Sequence, residues 1–299
     1  MKRTLLFFLA CALACVGAAD LARSARLEPF AETCLISCAL AASSFAFGLG
    51  TGDYSWVDRL WSLVPILYAW LYALKEGAGS APMVAALLVS LWGARLTFNF
   101  ARRGGYSGTE DYRWSALRSR IPSPLLWQAF NAAFICAFQL GLVTLFVSPL
   151  GMLVSGAEIG PLAIAVPGLL CLGFIAFETE ADREQWEFQS RKAERLALPA
   201  ADRPPDEEAE RGFRSSGLFR LSRHPAYFGE IGFWWSFYLV CALGSGRILD
   251  WRASGAALLT GLFALSVGFT ESLSASKYPA YRDYQERSSA VLPWFPRGK

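Results

Sequence analysis

Apolar and polar positions along the chain separate into long blocks. Eight apolar segments, roughly 5–19, 33–50, 57–74, 82–100, 125–150, 161–177, 227–245 and 253–271, are divided by shorter charged stretches. Crossing the hydrocarbon of a bilayer takes about 20 apolar residues of helix, and only helices or closed barrels satisfy the backbone there. The runs are too long for barrel strands. The pattern therefore predicts an all-α integral membrane protein, a bundle of seven to eight transmembrane helices. Residues 1–20 hold a short segment that follows Lys2-Arg3 and ends in Gly17-Ala18-Ala19. That block fits a cleaved signal peptide or a first span, and we read it as a retained helix.

Composition agrees with this division. The chain is 54% hydrophobic and 18% charged, with a mean hydropathy of +0.32. Its cations are asymmetric. One set of loops collects Lys2 and Arg3, the arginines at 102–120, nine cations from Arg183 to Arg223, and Lys277, Arg282, Arg287, Arg297 and Lys299. The opposite loops hold Arg23, Arg26, Lys75, Arg247 and Arg252. The positive-inside rule then predicts a cytoplasmic 178–225 loop and a cytoplasmic C-terminus. Membrane lipids explain cations confined to loops beside the membrane, and no basic stripe indicates nucleic acid. Seven cysteines, all in apolar runs, argue against a disulfide framework, and a single histidine argues against a zinc site.

Chemistry-bearing residues concentrate in three places. After Phe177, the residues Glu178, Asp182, Gln185 and Gln189 share one helical face, while Glu180, Glu184 and Glu187 lie elsewhere on the same helix. A solvated amphipathic helix accounts for most such runs. Glu178 and Asp182 sit where the apolar span ends, however, and acids at that depth indicate a water-accessible cavity. The acidic, proline-rich stretch Pro199 to Gly212 reads as a mobile surface loop.

The second place is LSRHPAYFGE, Leu221 to Glu230. Pro225 suits the first turn of a helix. Arg214, Arg220, Arg223 and His224 precede it, and Tyr227 and Glu230 fall in its first two turns. Arginine forks beside free helix N–H groups suit an anion, although a capped helix start in a basic loop is the simpler account. Glu230 lies inside an apolar run and needs a polar interior or a partner such as Arg223.

The third is DYSWVDRLW, with Tyr54, Asp58 and Arg59, together with Arg95, Asn99 and Arg102 on one face of the next helix. An Asp58–Arg95 ion pair and a role in substrate binding fit equally. Tyr106, Glu110 and Tyr112 are further polar candidates, and Trp56, Trp127, Trp251 and Trp294 fall near predicted helix ends, as interfacial anchors do. GLGTGD at 48–53 lacks the spacing of a dinucleotide fingerprint, and no Ser/His/Asp arrangement stands out.

FETEADREQWEFQ, GLFRLSRHPAYFGEIGFWW and YPAYRDYQERSSAVLPWFP, in that order, resemble the C-terminal region of the steroid 5-alpha-reductase superfamily, especially its bacterial membrane-protein branch. DYSWVDRLW and LWGARLTFNFARR are similar to that branch's N-terminal half. The resemblance implies NADPH as hydride donor and reduction of a carbon–carbon double bond conjugated to a ketone in a steroid- or lipid-like substrate. It divides the chain into N-terminal helices on the substrate side, 31–150, and a reductase-like region, 151–299, with a cofactor loop at 178–225. Asp182 and Glu230 match acidic cofactor positions of the family, and Arg191 and Arg214 approximate its basic ones. Glu178 stands where the reductases carry Asn, and Ala226 replaces a second Asn, removing an amide contact. With these, Arg220, Arg223, His224, Tyr227 and Tyr281 complete the expected cofactor set.

Hydride addition to an enone creates an enolate, which needs an acid or hydrogen-bond donor at the carbonyl oxygen. By segment order Asp58 is the candidate acid, assisted by Tyr54 or Arg95. Two other readings stay open. Isoprenylcysteine-type methyltransferases, which use S-adenosylmethionine, share an RHPxYxG stretch, but their paired glutamates are reduced here to Glu271 alone. A non-catalytic membrane protein on the same scaffold would explain Ala226.

Overall fold

The computed structural model describes residues 2–75, 78–108, 110–154 and 160–296; Arg297 and Lys299, counted above among the loop cations, lie outside them. Among the described residues the regular elements are all helical. The helices are α1 (Lys2–Ser24), α2 (Pro29–Thr51), α3 (Val64–Ala73), α4 (Ser80–Arg102), α5 (Tyr112–Arg118) and α6 (Pro124–Met152). They continue with α7 (Pro161–Ala197), α8 (Glu207–Arg211), α9 (Leu218–Leu221), α10 (Pro225–Ser245), α11 (Ala253–Lys277) and α12 (Tyr281–Arg287). Proline opens α2, α6, α7 and α10, where its missing N–H costs no intrahelical bond. Asp111, Ser123 and Asp206 cap α5, α6 and α8 by accepting from backbone amides of the first turn.

Seven of the eight apolar segments lie on helices, and among the described residues six helices are long and apolar enough to cross a membrane: α1, α2, α4, α6, α7 and α11. The chain is an all-α, multi-pass membrane protein. The third apolar segment yields only the ten-residue α3, because the residues before it fold into turns around Arg59. Helix α10 has 21 residues, but tryptophan, tyrosine and Glu230 lower its hydropathy.

The chain forms two compact units. Unit 1 comprises Met1–Leu169 with Trp235–Leu258, and unit 2 comprises Leu170–Trp234 with Leu259–Lys299. In unit 1 a hydroxyl seam joins three helices: Ser37 Oγ lies 2.5 Å from Tyr68 Oη and 2.7 Å from Thr144 Oγ1. Ser62 and Thr97 pair at 2.7 Å, and Trp70 donates to Ser90. Hydroxyls of this kind hold helices together where lipid supplies no hydrophobic drive.

Two of the expected tryptophan anchors are core residues instead. Trp56 is buried against Phe7 and Phe47, under the Arg59 guanidinium. Trp127 is buried edge-on against Tyr54. A position near a helix end does not fix which way a side chain faces; here both point inward. Trp251 and Trp294 are exposed.

Helix α7, most of which lies in unit 2, runs 37 residues, about 55 Å at 1.5 Å per residue, and carries the sixth apolar segment onward as a charged helix. Its outer face pairs Arg183 with Glu180 and Glu187. The Pro199 to Gly212 stretch, expected as a mobile loop, is largely built: α8 forms inside it and is tied to α7 by Arg195–Glu210 at 2.7 Å. Asp206, read from sequence as loop acidity, is its helix cap.

Candidate functional site

Five residues with carboxylates are buried in unit 2: Glu178, Asp182, Glu184, Glu230 and Glu271. They come from three helices. Glu178, Asp182 and Glu184 lie on α7, Glu230 in the second turn of α10, and Glu271 near the end of α11. A buried carboxylate is costly unless other groups replace its hydration, so five in one unit mark its polar interior.

The α7–α10 contact explains how an apolar helix accommodates them. A Cβ at Gly229 would lie 2.3 Å from Glu178 Cγ, and one at Gly232 would lie 2.3 Å from the Phe174 ring. Glycine at 229 lets the Glu178 side chain rest on the α10 backbone. Phe228 fills the flank, edge-on to Phe174 and Phe177. Glu178 is 1% exposed, and Asp182, one turn further along α7, is also buried.

Two acids hold the loop. Glu184 accepts from the Leu218 amide at 3.0 Å and lies 3.4 Å from Arg214 Nε, while Arg214 Nη1 donates to the Glu184 carbonyl. Gly217, at φ +61°, presses so close that a Cβ there would stand 2.0 Å from Glu184 Oε1. Glu271 is the larger node. It accepts from Arg223 Nε at 2.5 Å and Nη2 at 3.1 Å, from Gln285 at 2.7 Å, and lies 3.2 Å from His224 Nε2. Arg223 Nη1 also donates to the carbonyls of Gln285 and Ser288. The chain after α12 is pinned to the same loop: the Arg223 and His224 amides donate to Ser289 and Ala290, and the Trp294 amide donates to Leu221.

The expected cofactor residues thus fall into four environments. Glu178, Asp182 and Glu230 are buried on α7 and α10. Arg214 and Arg223 are engaged with Glu184 and Glu271, and His224 stacks on Tyr227, which packs on Phe263. Arg191 and Arg220 are outward-facing, Arg191 being 3.7–3.9 Å from Glu208 and Asp206. Tyr281 is buried against Phe213 and Tyr284. Sequence reasoning missed Glu184 and Glu271 as buried nodes. Glu271 carried a usable signal, a lone acid in an otherwise apolar span; Glu184 carried none, since its spacing matches that of solvated acids.

Unit 1 has its own polar cluster, around the turn before α3. Asp58 Oδ2 accepts from Trp114 Nε1 at 2.7 Å, and Tyr54 Oη accepts from Gln128 Nε2 at 2.9 Å. The Tyr54 amide donates to Glu110 Oε1, and the Asp111 amide to Ser55 Oγ. Burial, with Asp53 and Asp111 nearby, pushes the Glu110 carboxyl above its ordinary value against the pull of the Tyr54 amide and Arg118. Arg59, wholly buried, pairs with Asp53 at 2.7 Å and donates to the Gly105 carbonyl. Tyr54 and Asp58 therefore share one cluster with Glu110 and Trp114. Arg95 lies half-buried on α4, and on the same face Arg102 makes two bonds to Asn99 Oδ1. Gln128 and Asn131, linked at 3.3 Å, were missed; Asn131 opens a π-helical stretch, Asn131–Phe138, whose wider turn is frequent at functional sites.

The family described as "Protein of unknown function (DUF1295)" matches residues 44–288. The chain belongs to that family. Over 277 residues it is 33% identical to "Uncharacterized protein C594.04c" of Schizosaccharomyces pombe (strain 972 / ATCC 24843), covering 89% of this chain and 80% of that protein. No solved structure matches. The DUF1295 match spans both polar clusters, from Tyr54 to Gln285, and omits α1.

Proposed function

We propose that this protein is a membrane-embedded, NADPH-dependent reductase of a conjugated, enone-type double bond in a steroid- or lipid-like substrate. The observation that carries the reading is the burial of Glu178, Asp182 and Glu230 together on α7 and α10 beside the arginine-rich 214–224 turn. These are the positions that the resemblance to the steroid 5-alpha-reductase superfamily marks for cofactor binding.

The donor set fits the cofactor. Arg191 and Arg220 offer forked cations at the surface for phosphate oxygens. Asp182 and Glu230 accept hydrogen bonds from ribose hydroxyls or a carboxamide N–H, and burial strengthens such bonds. Arg214 and Arg223, already engaged with carboxylates, position the loop. When bound, NADPH supplies the hydride. In unit 1, Asp58 is the proposed acid toward the substrate carbonyl, held by Trp114, with Tyr54 and Arg95 assisting. The same reading places the 178–225 loop and the C-terminus in the cytoplasm, as the cation bias requires.

The test is a titration of the purified full chain in detergent with NADPH and, separately, S-adenosylmethionine, followed by NADPH oxidation with a conjugated enone steroid. The expected result is saturable NADPH binding, weakened at least about tenfold in Asp182→Asn and Glu230→Gln. Binding of S-adenosylmethionine without NADPH would turn the assignment toward methyl transfer. Binding of neither overturns the enzymatic reading.

A further inference from the structure

The cleft between α8 and the α11–α12 turn is separate in its residues from the buried acids. It is an open surface depression of about 610 Å³, lined by Glu207, Glu210, Arg211, Lys277 and Tyr278. We propose that it is a phosphate-binding subsite, taking the headgroup phosphate of an anionic lipid or a free phosphate. This inference does not depend on the reductase reading.

The charge balance comes first. Glu210 is neutralised by Arg195 at 2.7 Å, so Glu207 is the acid left against Arg211 and Lys277. A third cation stands behind the wall: Lys192 Nζ donates to Tyr278 Oη at 3.2 Å and to the Gly212 carbonyl at 2.8 Å. Lys192 and Lys277 also sit against the Tyr278 ring, at 5.1 and 5.3 Å from its centroid. One phenol between two ammonium groups makes a strongly positive local field. Burial raises the Tyr278 hydroxyl's pKa, but hydrogen bonds and charges from Lys192 and Lys277 outweigh burial and hold it below the ordinary value. The field that favours a tyrosinate also favours a phosphate oxygen.

The geometry suits that ligand. Arg211 is steadied by Ser215 at 3.1 Å and by the Phe213 ring, which pre-orders a forked donor. Lys277 is the last residue of the membrane-length α11, so one wall of the cleft continues directly from a membrane-length helix. Lipid phosphates are concentrated where membrane-spanning helices end.

The full chain in neutral detergent is titrated with dihexanoyl phosphatidic acid, inorganic phosphate and dihexanoyl phosphatidylcholine, reading the thermal unfolding midpoint. The expected result is a saturable rise with phosphatidic acid or inorganic phosphate and a weaker one with phosphatidylcholine. A response to phosphatidic acid alone assigns a lipid headgroup, and an equal response to inorganic phosphate assigns free phosphate. Lys277→Ala and Tyr278→Phe weaken the apparent affinity by about tenfold or less each, and Glu207→Gln tightens it about twofold. Glu207 is exposed, so Glu207→Gln tests the proposal even if a cleft variant unfolds. The proposal is overturned if neither anionic probe produces a saturable shift, if phosphatidylcholine acts equally, or if Glu207→Gln and Lys277→Ala both titrate as the parent.

Discussion

The two units solve the burial of polar groups in opposite ways. Unit 1 keeps its helices bound by neutral hydroxyls, Ser37 with Tyr68 and Thr144, and gathers its buried ion pair and nearby acids in the turns around Arg59, Asp58 and Glu110. Unit 2 places carboxylates on the helices themselves and surrounds them with arginines, amides and glycine backbone. Neutral hydroxyls hold helices together at little desolvation cost. Buried carboxylates are expensive and contribute little net stability compared with apolar packing. Their accumulation in unit 2 is therefore the stronger mark of function.

The most severe way to break this contrast is to remove one partner of the Glu271 node. Arg223→Leu leaves a carboxylate that is about nine-tenths buried with only Gln285 and His224, and breaking a buried pair in this way costs about 3–5 kcal/mol. The expected outcome is a large fall in the thermal midpoint of the detergent-purified chain. It should be partly restored by the double variant Arg223→Leu/Glu271→Leu, because removing both charges removes the orphan. No restoration would mean that Arg223 acts through the carbonyls of Gln285 and Ser288 alone.

A smaller effect separates packing from function. Gly93→Ala in unit 1 would drive a Cβ to 2.6 Å from Ile66, and Gly229→Ala in unit 2 to 2.3 Å from Glu178. Overpacking of this kind costs about 1–3 kcal/mol. Both variants should lower the midpoint, but only Gly229→Ala, which displaces a buried acid, should also weaken NADPH binding. Equal binding loss in both would erase the distinction between the units.

The smallest effect is a pH dependence. Glu110 has a folded pKa above its unfolded one, so the folded state holds that proton more tightly. Its contribution is present below the ordinary carboxylate value and is lost as pH rises through the folded pKa. At neutral pH the ionised Glu110 is a small liability. Glu110→Gln keeps an acceptor for the Tyr54 amide and should raise the midpoint at pH 7 while losing that advantage near pH 4. A variant less stable than the parent at pH 7 would show that the charge itself is needed.

Much of this was legible along the chain. Apolar block length marked each membrane helix, Pro225 marked the start of α10, and Glu230 announced itself as an acid inside an apolar run. The 178–189 helix was legible as a helix but not as a site. Spacing placed Glu178 and Asp182 on one face without revealing that Glu184 also turns inward to the Leu218 amide. The Glu271 node joins residues 48 positions apart in the chain, and no local pattern encodes such a pairing.

By itself, the sequence determined that the chain is helical and crosses membranes, because hydrophobic length and helical period are local properties. Only the tertiary structure decided which charges are buried, which arginines are already engaged by carboxylates, and that Trp56 and Trp127 face a core. Those outcomes depend on which helix faces meet, and a partner distant in sequence sets the electrostatic environment of each group.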